Sequence, residues 1–283
     1  MEASSASDLK RLLPEKTRIL WYGKGLNPML GFMPESAVVL APTLPDAAML
    51  ARIRTACKWP RPRCLTAEST SPCHVSFDLG VADVFLGSVT KTETLSVLSL
   101  AMATVSIVVL AVNGNYSDPA DWKDPAGWVT MRREVSWSTW TALEAHSQLW
   151  LCVRGELEAK TRIIQDIDTI FQKVFADVKP ATAVVRGVDR YVVQRGKRQR
   201  TTYNLPAPCT AEKVFRSPAA SAADPTEFSP HEFLPLLGYG DQTNIHLLTP
   251  AWQMKVLSHS VPFSVGELMY RFAMRLALAS SSK

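Results

Sequence analysis

Three groups of residues have the types and spacing to do chemistry. The first is Tyr22, Gly23, Lys24 and Gly25, a Gly-x-Gly turn directly after the apolar run Ile19-Leu20-Trp21-Tyr22. Two glycines one residue apart let a backbone turn sharply and leave its N–H groups open to a ligand. At the carboxyl end of a first strand, such a turn is how α/β proteins often hold dinucleotides and other adenosine-bearing cofactors. An ordinary strand-to-loop turn has the same residues, because a lone Gly-x-Gly is a weak motif. The second group is Asp118, Asp121 and Asp124 around Trp122. At the end of a central strand these acids face substrate, and the indole suits stacking on a base. Equally, aspartates before Pro119 and Pro125 start turns.

The third group is basic. Arg186, Arg190, Arg195, Lys197, Arg198 and Arg200 put six cations into 15 residues, opposed by Asp189. The surrounding stretch, Thr182 to Asn204, reads as a β-hairpin. Alternate residues of a strand share a face, so Arg198 and Arg200 fall together, beside Tyr191 or Tyr203. Guanidinium groups interleaved with tyrosines suit phosphate contacts and base stacking, and make RNA the expected partner. The competing reading is a solvated hairpin whose charges prevent edge-to-edge pairing.

Other chemistries find no residues. No P-loop, His-Glu-x-x-His or nucleophile triad is visible. The five cysteines are an odd number without Cys-x-x-Cys spacing, and the five histidines are scattered, so no metal site is expected. This usage reads as reduced, mostly buried thiols in an intracellular protein of the cytoplasm or nucleus. The first residues lack a charged region followed by an apolar core, so no secretory signal is expected. The longest apolar stretch, Leu95 to Val112, contains Ser96, Ser99, Thr104 and Ser106 and changes period midway. It reads as a helix followed by a strand, not a membrane span.

The elements that must position these groups follow from hydrophobic period. The chain has 283 residues, 47% apolar and 20% charged, with a net charge of +5. That is enough for a full-sized core. Strands are expected at Arg18–Tyr22, Ala37–Leu40, Arg63–Ala67 and Ala82–Leu86, and Ile107–Val112 reads as a central strand covered on both faces. A helix start at Thr43-Leu-Pro-Asp46 and a capping box at Thr90-Lys-Thr-Glu93 separate them. Two strand-like runs follow, Trp128–Trp137 and Gln148–Val153, in a segment holding five of the eight tryptophans. A helix over Lys160–Val178, a Ser/Ala/Pro-rich linker over Arg216–Pro230 and a final helix capped by Ser264-Val-Gly-Glu267 complete the chain. The alternation implies an α/β fold, a Rossmann-like, mostly parallel sheet with a late antiparallel strand pair, plus a C-terminal α+β extension. The segments are 1–156 for the core, and 157–283 for the helix, basic hairpin, linker and last helix.

This order resembles a class I S-adenosylmethionine-dependent methyltransferase over about Arg18 to Glu156. The resemblance implies that the loop Tyr22-Gly23-Lys24-Gly25 wraps the methionine part of S-adenosylmethionine, and that the loop after the fourth strand, Gly87 and Ser88, faces the acceptor, with Asp83 at that strand's start as a further cofactor candidate; Asp118 and Asp121 are the catalytic candidates. Two departures stand out. Trp21 occupies a position, two residues before the first glycine, where the family often has an acid. The second strand ends Leu40-Ala41-Pro42, with no acid before Asp46. The expected function is methyl transfer to RNA. The alternative is an inactive relative serving as a structural or RNA-binding subunit with a protein partner.

Overall fold

A computed structural model describes residues 18–23, 25, 37–56, 63–66, 84–113, 122–141, 143–179, 191–195, 198–202, 205–206, 212–216, 226–227, 229–239, 245 and 248–281. Its centre is a seven-stranded sheet. The strands are β1 (Ile19–Tyr22), β2 (Val38–Ala41), β3 (Arg63–Thr66), β4 (Val84–Val89), β5 (Ile107–Asn113), β6 (Trp128–Ser136) and, after the two-residue β7 (Leu143–Glu144), β8 (His146–Arg154). They lie in the order β3-β2-β1-β4-β5-β8-β6. The first five run parallel, and β8 is antiparallel to both β5 and β6. The expected parallel sheet with its late antiparallel pair is therefore present. Strand order reverses between β1 and β4 in the middle of the sheet, and the carboxyl ends of strands at such a reversal are where open α/β sheets bind ligands.

β5 is buried along almost its whole length, which is why it reads as an unbroken apolar run. Its two faces feed two cores. On one side Leu20, Phe85, Val108 and Trp150 pack with Val97, Leu98 and Met102 of α2 (Thr94–Thr104). On the other, Trp21, Leu86, Val109 and Leu149 meet α1 (Leu44–Ala56), α3 (Lys160–Asp177) and the C-terminal helices. Those are the short α4 (Phe233–Leu236), α5 (Pro250–Ser258) and α6 (Phe263–Ser281). Phe171 of α3 meets Phe272 of α6 edge to face at 5.8 Å. The last helix thus packs directly on the central strands β4 and β5.

The capping box at Thr90 forms. The Thr90 N–H and hydroxyl both donate to Glu93 Oε2, at 3.1 and 2.6 Å. The one expected at Ser264 does not. The last helix already begins at Phe263, so Ser264 lies inside its first turn and its hydroxyl donates to the Lys179 carbonyl. Glu267 instead accepts from Arg271 one turn on.

A second, four-stranded sheet has the order β10-β9-β12-β13, from β9 (Tyr191–Arg195), β10 (Arg198–Thr202), β12 (Glu212–Arg216) and β13 (Thr226–Glu227). The expected hairpin is thus present as β9 and β10, with 182–190 and 203–204 outside the described residues. Arg216–Pro230 is not simply a linker. β13 lies within it and pairs back on β12. β11 (Leu205–Pro206) runs parallel to β7 and ties this region to the segment before β8. Among the described residues, no helix is long and apolar enough to cross a membrane.

Candidate functional site at the strand-order reversal

Gly23 and Gly25 stand at the carboxyl rim of β1, beside the end of β4, both buried. Close approach requires glycine at Gly25 and crowds any side chain at Gly23. A Cβ on Gly23 would lie 3.1 Å from Trp21 Cζ2 and 3.4 Å from the Ser88 carbonyl oxygen. A Cβ on Gly25 would lie 2.1 Å from the His259 carbonyl oxygen. The turn joining α5 to α6 therefore crosses this rim, and only a glycine lets the two backbones meet. Sequence reasoning missed this half of the site. The start of α5 was signalled by Thr249 as cap and Pro250 in the first turn, but nothing local pointed it at Gly25.

A chain of side chains runs along the rim beneath that turn. The Trp137 indole N–H donates to Ser147 Oγ at 2.8 Å, and Ser147 donates to Asn113 Oδ1 at 2.8 Å. Asn113 Nδ2 donates to Ser88 Oγ at 3.1 Å, and Ser88 donates toward the His259 carbonyl at 3.5 Å. Each hydroxyl gives one bond and takes one, so the direction of the whole chain is set. It spans β8, β5 and β4 and ends on the α5–α6 turn.

The other expected residues are placed as follows. Tyr22 is buried, and its ring stacks on Phe85 at 6.4 Å. Burial, with Glu93 and Asp46 adding, pushes its hydroxyl well above the usual tyrosine range. Its side chain belongs to the core, so its backbone is what faces the rim. Asp46, the first acid after β2, is also engaged. Its Oδ2 accepts from Thr43 Oγ1 at 2.7 Å and its Oδ1 pairs with Lys255 of α5 at 2.8 Å. Lys24, Asp83, Asp118, Asp121, Arg190 and Lys197 lie outside the described residues.

Asp124, the third acid of the tryptophan loop, is structural. Burial raises its pKa, but hydrogen bonds from Lys160 and Thr130 outweigh that and hold the carboxyl below the usual range. Lys160 Nζ is 2.7 Å away. The tryptophans around it face the core. Trp128, Trp137, Trp140 and Trp150 are buried, and Trp122 meets Trp150 edge-on at 5.2 Å.

No protein-family profile and no curated protein matches this sequence. Solved structures do match it. The chain is similar to the S. pombe Dnmt2 methyltransferase, with a TM-score of 0.52 and 10% identity over 95% of this chain and 100% of that one. It is also similar to the O-methyltransferase from Bacillus cereus in complex with SAH, with a TM-score of 0.35 and 13% identity over 54% of this chain and 82% of that one. A third likeness is to M. capricolum TrmK in complex with S-adenosyl-homocysteine, with a TM-score of 0.36 and 8% identity over 63% and 87%. The strand order and the first of these likenesses show the fold of a class I S-adenosylmethionine-dependent methyltransferase.

Proposed function

We propose that this chain binds S-adenosylmethionine at the rim between β1 and β4 and transfers its methyl group to RNA. The observation that carries the reading is the glycine turn, with both glycines buried, at the point where strand order reverses. Open α/β sheets bind their ligands at such a point. Tyr22, Gly23, Lys24 and Gly25 would supply backbone to the cofactor; Asp83 has no place in this site, because it precedes Val84, which pairs with Ile19 at the opposite end of β1 from the glycines. Asp118 and Asp121, which follow β5 in the sequence, would orient the acceptor. Rate enhancement would come mainly from holding donor and acceptor in line.

The basic hairpin supports RNA as the acceptor. Its register pairs Arg198 with Arg195, Arg200 with Val193 and Thr202 with Tyr191. Directly paired and alternate positions share a face, so Arg195, Arg198, Arg200 and Tyr191 occupy one face of the ladder. Arg190 and Lys197 flank these strands.

A second reading is an inactive relative that serves as an RNA-binding subunit beside a protein partner. Two observations favour it: the His259 carbonyl lies against Gly25, and Asp46 is tied to Lys255. Calorimetric titration with S-adenosylhomocysteine separates the readings. Saturable micromolar binding is the expected result; no binding by a chain that melts cooperatively would sink the first reading. RNA binding should weaken steeply with salt, and the slope should flatten when Arg195, Lys197, Arg198 and Arg200 are neutralised together. An unchanged slope would remove the hairpin from the RNA site.

A further inference from the structure

Buried indole N–H groups in this protein generally have acceptors. Trp137 donates to Ser147 at 2.8 Å, Trp140 to the Val178 carbonyl at 3.2 Å and Trp150 to Gln148 at 2.8 Å. Those of Trp21 and Trp122 do not. Of these two, Trp21 is the fully buried one, and among the described residues its Nε1 has no hydrogen-bond partner. A buried donor left unpaired is costly and is seldom retained without a reason. Its location supplies one. Trp21 and Gly23 lie on the same face of the chain leaving β1, and the ring edge reaches the rim. Its Cζ2 and Cε2 stand 3.1 and 3.5 Å from where a Gly23 Cβ would be, and Nε1 is bonded to Cε2. The donor therefore sits beside the glycine turn, at the strand-order reversal.

We infer that the Trp21 indole N–H is a specificity-determining contact of this site, donating to the carboxylate of the cofactor's amino-acid end. An indole N–H can only donate. It cannot hold an ammonium group as a carboxylate would, but it complements a carboxylate oxygen. A hydrogen bond to a charged group is also stronger than one between neutral partners, which suits a donor with no acceptor among the described residues. The inference rests on the proposed cofactor site.

Its test compares two ligands and two proteins. S-adenosylhomocysteine carries the amino-acid group, and methylthioadenosine lacks it. The Trp21→Phe variant keeps an aromatic ring and removes the N–H. By calorimetry, Trp21→Phe should bind S-adenosylhomocysteine about tenfold more weakly and methylthioadenosine as well as the unsubstituted chain does. Its melting temperature should fall, because Phe underfills a fully buried position, so the comparison between the two ligands, not the melt, decides. Equal loss for both ligands, or no loss for either, overturns the inference. Failure of the unsubstituted chain to bind S-adenosylhomocysteine overturns the cofactor reading itself. Should Trp21→Phe not fold, the indole N–H resonances of the unsubstituted chain decide. One of the eight must move downfield with S-adenosylhomocysteine and stay in place with methylthioadenosine; if none does, the contact is absent.

Discussion

Cys152 shows what burial does to a single group. The thiol lies inside β8, beneath Thr130, and burial pushes it up from 9.0 to about 12, against a lowering hydrogen bond from Thr130. It is a packing residue, not a nucleophile, because the reactive form of cysteine is the thiolate. The folded chain keeps this proton at pH values where the unfolded chain releases it. The thiol's contribution to stability is therefore fully present below about pH 9 and is lost as pH rises toward 12. Buried Tyr22, Tyr239 and Tyr270, also raised, add their own losses at high pH, so a difference between two proteins is needed. Between pH 8 and pH 10.5 the unsubstituted chain should lose ~2 kcal/mol more than Cys152→Ala in urea unfolding. Parallel pH profiles would show the thiol to be less shielded than its position implies. At this scale the sequence was only partly legible. It read the cysteines as mostly buried thiols, but it grouped Asp124 with Asp118 and Asp121 in one acidic loop without showing what holds it. Lys160, which fixes Asp124, is far along the chain, and that pairing has no local signature.

Among the elements, the α5–α6 turn carries the most consequence, since it crosses the glycine rim and ends the Trp137–Ser147–Asn113–Ser88 chain. Gly25, against this turn, and Gly127, in the turn before β6, separate contact from conformation. Gly127 has φ +75 with nothing within 4 Å of a Cβ, whereas at Gly25 a Cβ would meet the His259 backbone at 2.1 Å. Gly127→Ala should cost about 1 kcal/mol, the penalty of a left-handed backbone. Gly25→Ala should cost about 3 kcal/mol, because backbone must move to admit the methyl group. Urea unfolding of both variants measures this, and equal costs would mean that the turn yields easily. The elements themselves were largely visible in the sequence. β5 announces itself by its β-branched run, α1 by Thr43 and Pro45, and the start of α2 by Thr90 and Glu93. These signals are local, since a cap or a period is complete within a few residues. Ser264 and Glu267 have the same spacing as Thr90 and Glu93 but form no box. Which residue starts a helix was decided by how α6 docks on β4 and β5, and the spacing does not carry that information.

For the whole molecule, the question is whether 1–156 stands alone. It holds all seven strands of the main sheet and α2, so one face would keep its helix. The other face would keep α1 but lose α3 and the C-terminal helices. Leu86 and Val109 lie in the same cluster as Val265, Leu268, Met269 and Phe272 of α6, and Met131 and Leu151 share it with Ile167 and Phe171 of α3. Each large apolar side chain returned to water costs roughly 1.5–3 kcal/mol, and a domain's whole stability is about 5–15 kcal/mol. Losing α3 and α6 exceeds that margin. The rim would also lose the His259 turn that meets Gly25. A chain ending at Glu156 should therefore bind ANS, unfold without a cooperative transition and bind no S-adenosylhomocysteine. The same chain supplied with 157–283 as a separate polypeptide should recover a cooperative melt, because the two pieces share one core. A sharp melt for 1–156 alone would make it an independent domain, and would reduce α6 from part of the core to an appended cover.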